Sequence, residues 1–304
     1  MNGVTAGRPV FWIHHGNGGV ESYAPVGARC QRPFYGIQPR GWLDGGDILT
    51  GHQAMASHYA GIIRAVQPRG PYDIGGFSIG GMFAYEVVRQ LQLQGEEVAS
   101  LVMLDTLDGP STNHANALVV GGNDDPEVVA KVGVFRAVNL MLGSNRLDSH
   151  GGTTPILHRD EVDTSLEYRE FLDSLIAVAL RRGMSKTEAQ LRARVAQLSR
   201  YFDAVQSETY TVRPLPRPDE VRCYYLRNRS GRFFGAYEEY MVLYPNPDLP
   251  PVDGTPYWRE WAEQIGDFFV VDVDTEMHSD VMVAPQAIEK VLRLCDRLYP
   301  AEGR

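Results

Sequence analysis

Pro71-Tyr72-Asp73-Ile74-Gly75 runs directly into Gly76-Phe77-Ser78-Ile79-Gly80, and Gly81-Met82-Phe83-Ala84-Tyr85-Glu86-Val87-Val88 follows without a break. The first stretch reads as a short strand and the last as a helix. The G-x-S-x-G between them completes the three parts of a nucleophile elbow. So tight a turn forces a strained backbone on Ser78, and a Cβ at position 76 or 80 would collide with the neighbouring strand or helix. The strain lifts the Ser78 hydroxyl above the sheet edge at a helix N-terminus, where unpaired N–H groups favour developing negative charge. With 31 glycines in 304 residues the five-residue pattern alone arises by chance. Its place between strand and helix gives it meaning.

Working outward, Val10-Phe11-Trp12-Ile13-His14 reads as a buried strand entering the turn Gly16-Asn17-Gly18-Gly19, and Pro33-Phe34-Tyr35-Gly36-Ile37 as a second strand. Thr50 and Gln53 form a capping box for a helix carrying Met55, Tyr59, Ile62 and Val66 on its apolar side, and Pro68 ends it. The elbow helix ends near Gly95. Val98 to Leu104 is a further apolar strand, finishing at Asp105. Strands alternating with helices mean parallel pairing through crossover helices, with the site at the carboxyl ends of the strands.

From 110 to 218 helices follow one another without strands, and the segment reads as a helical lid insertion within one domain spanning 1–304, the alternative being a separate helical domain. One helix is predicted over Glu161 to Arg182, with Val162, Leu166, Leu172, Leu175, Ile176 and Ala179 on one side. The next opens on a Ser185/Glu188 capping box and repeats Leu191, Val195, Leu198, Phe202 and Val205. Beyond the stiff Pro214-Leu215-Pro216-Arg217-Pro218 the sheet resumes with Val221 to Leu226 and Phe268 to Val273. The aromatic loop between them contains Phe233, Phe234, Tyr237, Tyr240, Tyr244, Tyr257 and Trp258, and Pro245 to Pro256 reads as the most mobile stretch. A last helix starts at Pro285 and buries Ile288, Val291, Leu292, Cys295 and Leu298.

A formal charge of −9 argues against nucleic acid and against anionic membranes as partners. Cys30, Cys223 and Cys295 are too few and too scattered for a disulfide framework or a Cys-rich zinc site, and point to a reducing cytoplasm. No stretch approaches the roughly 20 apolar residues that span a bilayer.

A serine hydroxyl needs a base within hydrogen-bond reach and an acid that fixes the tautomer of that base. In this architecture they come in the order Ser, Asp, His. Of eight histidines, His14, His15, His52 and His58 precede Ser78, and His114, His150 and His158 fall in the insertion. His278, after the last strand, is the base this order selects. The strand before the last ends Leu226-Arg227-Asn228-Arg229, with no carboxylate. The choice of acid therefore falls on Asp105, with Asp108 as its nearest rival and Asp272 and Asp274 read as solvent-facing. For the oxyanion formed on attack, Ile79 supplies one backbone donor as the residue after the nucleophile. The turn after the first strand supplies the second, from Gly16 or its competitor Asn17. His14 and His15 read as packing or loop residues rather than metal ligands.

Gly36-Ile37-Gln38-Pro39-Arg40-Gly41, Met55-Ala56-Ser57-His58-Tyr59, Ala65-Val66-Gln67-Pro68-Arg69-Gly70-Pro71-Tyr72, the elbow itself and Ala84-Tyr85-Glu86 resemble the terminal thioesterase domains of non-ribosomal peptide and polyketide synthases. The match covers about residues 8–108, is sparse through the insertion and returns at Trp258 and His278. The resemblance implies an α/β-hydrolase fold with a mostly parallel central sheet, a helical lid, and a Ser78–Asp105–His278 triad. It further implies an acyl chain delivered on the phosphopantetheine arm of an acyl or peptidyl carrier protein, with no other cofactor and no metal. Two positions depart from the pattern. His14-His15-Gly16-Asn17 lacks the His-Pro usual in the first turn, and Glu276-Met277 stands where Gly-Asp is common. Editing thioesterases share the fold, whereas the Gln67-Pro68-x-Gly70-Pro71-Tyr72 lead-in resembles the product-releasing domains. Arg181, Arg182, Lys186, Arg192, Arg194 and Arg200 form the densest basic region, which would serve either as a carrier-docking face or as an ordinary solvated helix face.

Overall fold

The computed structural model describes residues 2–148 and 156–301, with the backbone alone for 143–148; His150 lies outside the described residues. Six strands, β1 (Val10–Ile13), β2 (Phe34–Ile37), β3 (Tyr72–Phe77), β4 (Val98–Leu104), β5 (Arg222–Asn228) and β6 (Asp267–Val273), form one sheet in the order β2-β1-β3-β4-β5-β6. All lie where the apolar runs predicted them, and every pairing among them is parallel. The chain steps outward from β1 to β2 and returns to β3 on the other side of β1. That reversal opens a crevice at the carboxyl ends of β1 and β3. Val10 to Ile13 have 0% exposure, which is why β1 is an unbroken apolar run rather than an alternating one. At the opposite end of the sheet the buried Asp73 carboxylate is satisfied by Arg8, Arg32 and the Ser100 hydroxyl.

The helices are α1 (Ala24–Arg29), α2 (His52–Val66), α3 (Ile79–Leu93), α4 (Gly109–Val119), α5 (Pro126–Asp148), α6 (Tyr168–Arg181), α7 (Glu188–Gln206), α8 (Arg259–Gln264) and α9 (Pro285–Leu298). α3 packs on β1, β3 and β4 and against α2, while α1 packs on α9. Among the described residues no helix is long and apolar enough to cross a membrane.

Local capping patterns misplaced three helix starts. α2 has no side-chain cap from Thr50. Gly51, at φ 86°, is its N-cap, and the Glu208 carboxylate, distant in sequence, accepts the His52 N–H at 2.8 Å. α6 begins at Tyr168 rather than Glu161, because His158 and Glu161 close a separate 3-10 turn on themselves. Its buried face carries Phe171 with Leu175, Ile176 and Ala179. α7 uses Thr187 and Gln190 as its capping box in place of Ser185 and Glu188, and buries all five residues predicted for it. α9 starts at Pro285 as expected. It buries Ala287, Val291, Leu294 and Cys295, and leaves Ile288, Leu292 and Leu298 half-buried.

The chain divides into two compact units. Met1–Thr112, Glu208–Phe233 and Asp253–Arg304 carry the sheet, and Asn113–Ser207 with Phe234–Val252 form a helical unit. The helical stretch expected over 110–218 therefore rejoins the sheet unit at Glu208, and much of the aromatic loop belongs with the helices. Asn139 Nδ2 donates to Tyr240 O at 2.7 Å, Asn246 Nδ2 to Gly121 O at 3.1 Å and His114 Nε2 to Pro250 O at 2.6 Å, which ties that excursion down.

Candidate active site

Ser78 follows β3 and caps α3 with φ 59° and ψ −127°, a conformation held only where the surroundings over-determine it. Its N–H extends the ladder to Leu104 O at 2.9 Å. Glycines make the turn possible. A Cβ at Gly76 would lie 2.8 Å from Gly81 N, and one at Gly80 2.6 Å from His14 O. Both contacts are with backbone, so nothing can yield. The Tyr23 hydroxyl braces the same corner, donating to Ile13 O at 2.8 Å and accepting the Phe77 N–H at 2.9 Å.

His278 opens a 3-10 turn, His278–Met282, after β6, and its backbone N–H is held by Arg232 O at 3.0 Å. Its ring lies between two phenylalanines. The Phe77 centroid is 4.7 Å away with planes 22° apart, and the Phe233 centroid 4.3 Å away at 34°. Nδ1 donates to Asp105 Oδ2 at 2.9 Å. A carboxylate only accepts, so the proton sits on Nδ1, and Nε2 is left to accept the Ser78 hydroxyl at 2.8 Å.

Asp105 follows β4 at φ 44° and is fully buried. A buried carboxylate demands several donors. The Asn228 N–H reaches Oδ1 at 2.9 Å, and the Tyr257 hydroxyl reaches Oδ1 at 2.9 Å and Oδ2 at 3.1 Å. The rival Asp108 instead accepts the N–H groups of Ser111 and Glu260 at 3.1 and 3.3 Å. Asp272 pairs with Arg227 at the surface, and Asp274 is exposed.

Ile79 is the first residue of α3, where the N–H has no partner within the helix. Gly16 lies in the turn after β1, and a Cβ there would meet nothing within 4 Å. Asn17 has a turn-building role, its Oδ1 accepting the Gly19 N–H at 2.9 Å. His14 is packed inside, donating from Nδ1 to His15 O and accepting the Tyr59 hydroxyl at Nε2 at 2.7 Å. Burial pushes the His14 imidazole down to about 3 and, with the nearby His278, the His15 imidazole down to about 4, so both are neutral at ordinary pH. Among the described residues no cluster of His, Cys, Asp and Glu could hold a metal ion.

Sequence reasoning did not single out Tyr23, Phe77, Phe233, Asn228 or Tyr257. The last four meet His278 or Asp105 only after distant strands come together, and no local spacing announces that. Burial and the adjacent Asp105 push the Tyr257 phenol far above its ordinary range, so it stays protonated and donating. Tyr257→Phe is expected to cost about 1–3 kcal/mol of stability by leaving a buried carboxylate short of a donor. It should also lower kcat about tenfold with KM unchanged. Denaturant unfolding and the kcat/KM split check this, and a shifted His278 Nδ1–H proton resonance would separate positioning from simple loss of fold.

Two cations of the basic region form ion pairs within the helical unit. Arg182 pairs with Glu161 and donates to Ile156 O, while Arg192 pairs with Asp173 and Glu188, both at 2.7 Å.

Residues 8–298 match the family profile described as Thioesterase domain. Polyketide synthase PksR of Bacillus subtilis is 43% identical over 303 residues, covering 100% of this chain and 11% of that protein. The chain spans about a tenth of the length of the curated relatives it matches. Among solved structures, a holo four-domain nonribosomal peptide synthetase bound to AMP and glycine aligns with TM-score 0.63 at 20% identity, over 98% of this chain and 20% of that one. The wild-type Vlm2 thioesterase domain aligns with TM-score 0.57 at 16% identity, over 97% and 95%. At these identities the structural likeness establishes the fold.

Proposed function

The chain belongs to the thioesterase-domain family, and we propose that it releases an acyl, peptidyl or polyketidyl chain from the phosphopantetheine thioester of a carrier protein through an acyl-Ser78 ester. The observation that supports this reading most directly is the continuous line from the Ser78 hydroxyl through His278 to the buried Asp105. In the proposed reaction His278 Nε2 takes the hydroxyl proton as Ser78 Oγ bonds to the thioester carbonyl carbon. The oxyanion is held by the N–H groups of Ile79 and Gly16. The carbon–sulfur bond then breaks, and the proton on Nε2 passes to the leaving thiolate. In the second half, His278 activates water to give a free acid, or an internal hydroxyl or amine of the chain to give a ring. We assign the helical unit the role of the lid that selects the chain, and the protein a cytoplasmic setting, in keeping with its three free, buried cysteines.

Acyl thioesters of pantetheine and of a loaded carrier protein, compared with oxygen esters of the same acyl group, test the proposal. The thioesters should be turned over at least about tenfold faster in kcat/KM, with a mass increment on the Ser78 peptide. Preference for the oxygen esters would make the protein an esterase. Absence of both turnover and adduct would make it a binding module.

A further inference from the structure

His278 is 9% exposed, and in the proposed reaction its ring passes from neutral to charged and back without leaving that setting. Burial works against the charged form. At His14 and His15 it is the main reason that the imidazoles stay neutral at ordinary pH. At His278 the Asp105 carboxylate meets the charge from one edge of the ring, at Nδ1. The faces of the ring meet Phe77, at 4.7 Å and 22°, and Phe233, at 4.3 Å and 34°. His14 crosses Tyr59 and Phe83, and His15 crosses Tyr23 and Phe77, more steeply, at 50° to 77° and 5.5 to 6.2 Å.

The face of a phenyl ring carries the negative part of its quadrupole and attracts a cation held over it within about 6 Å. A neutral imidazole gains little from this, whereas an imidazolium gains from both phenyl rings. The attraction therefore grows as Ser78 gives up its proton, and an interaction that is stronger in the transition state than before it speeds the step. Phe77 is the last residue of β3 and leads directly into the elbow. Phe233 lies on the loop beyond β5, where the elbow makes no demand for an aromatic ring. Its N–H is held by Asp253 Oδ1, and its ring stands T-shaped to Tyr257 at 6.3 Å and 76°. All of these residues belong to the sheet unit.

We propose that Phe233 is a positioning residue of the reaction which, paired with Phe77 on the imidazole, stabilises the positive charge on His278. That charge exists while Ser78 Oγ bonds to the carbonyl carbon and its proton sits on Nε2. It is lost when the proton passes to the leaving thiolate, and it returns when water or an internal nucleophile gives up a proton in the second half. The proposal rests on the thioesterase reading and adds to it a side chain outside the hydrogen-bonded line.

Fluorine withdraws negative charge from the face of a phenyl ring while scarcely changing its shape, so a fluorinated series at position 233 separates charge from packing. Phe233 is replaced in turn by 4-fluoro-, 3,5-difluoro- and 3,4,5-trifluorophenylalanine, and each protein is assayed on hexanoyl N-acetylcysteamine. With each added fluorine kcat/KM should fall, by about 3–10-fold in all at the trifluoro ring. A second readout needs no turnover. Pentyl trifluoromethyl ketone takes the Ser78 oxygen at its carbonyl carbon and leaves an oxyanion beside a protonated His278, so its Kd should rise through the series by the same factors. The Tm should stay within about 2 °C of the wild type throughout. Phe233→Leu, which removes the ring face, should lie at or beyond the trifluoro protein in both readouts. A flat series beside a defective Phe233→Leu would make Phe233 a packing residue alone and overturn the proposal. A wild type that hydrolyses the p-nitrophenyl ester of hexanoic acid but not the thioester overturns the thioesterase reading instead, and the same series on that ester then decides on Phe233. A wild type that hydrolyses neither and binds no ketone overturns both.

Discussion

Ser78→Ala should lower kcat by about 10⁶ and abolish the acyl-enzyme, with KM little changed. The argument is geometric. The hydroxyl contributes little to the fold, because the elbow is held by backbone bonds from Ser78 N–H to Leu104 O and from Gly81 N–H to Ser78 O, and alanine suffers no larger penalty than serine at φ 59°. What disappears is the only oxygen within reach of His278 Nε2 at 2.8 Å among the described hydrogen bonds. In the proposed reaction nucleophile and base act as a unit, so His278→Ala should fall to a similar floor, and the double variant should be hardly slower than either single one. The residual rate then reports the oxyanion donors and binding alone. Stopped assays with intact-protein mass spectrometry check both parts. A Ser78→Ala protein that still carried an acyl adduct at this peptide would remove Ser78 from the role.

The elbow was legible because its requirements are local. Gly76 and Gly80 are needed by contacts within a few residues of Ser78 or with the strand next to it, and a strand–turn–helix pattern records that in consecutive positions. His278 was legible by order, since the topology admits only a histidine after the last strand. Asp105 could be chosen because β5 ends in Asn228 rather than a carboxylate, and the structure gives Asn228 a different task, its N–H steadying Asp105 at 2.9 Å. Features built by tertiary contact were illegible. The cap of α2 comes from Glu208, the second face of the His278 ring is covered by Phe233, and the hydroxyl that reaches both oxygens of Asp105 is that of Tyr257. Phe233 and Tyr257 stood in the sequence only as members of an aromatic loop. Their roles arise because the chain leaves the sheet unit after Phe233 and returns at Asp253. The Phe233 N–H closes that gap on Asp253 Oδ1 at 2.6 Å, which brings both rings beside Asp105 and His278.

The geometry at Asp105 makes the consequence of an amide there unusually determinate. In Asp105→Asn the fixed backbone N–H of Asn228, 2.9 Å from Oδ1, accepts no replacement of that oxygen by NH₂, because two donors would face each other in a buried setting. The amide oxygen must take that position, which places NH₂ where Oδ2 now receives the His278 Nδ1–H at 2.9 Å. To meet a donor, Nδ1 must give up its proton, so the proton moves to Nε2. Nε2 then donates where it should accept, and the Ser78 hydroxyl loses its base. Loss of about 10⁴ in kcat follows, on the scale measured for the same change of tautomer in another serine hydrolase, with the fold intact and KM within a few-fold. Tyr257 does not rescue the variant, since its hydroxyl can turn to suit either atom but does not change which one faces Asn228. Asp108→Asn is the matched control: among the described hydrogen bonds its carboxylate meets the Ser111 and Glu260 amides alone, so a cost of about 1 kcal/mol in stability and less than about threefold in kcat is expected. Steady-state kinetics on one thioester, with the His278 tautomer read from its ring nitrogen shifts, checks the pair. An Asp105→Asn protein within tenfold of the wild type would remove Asp105 as the residue that sets the tautomer.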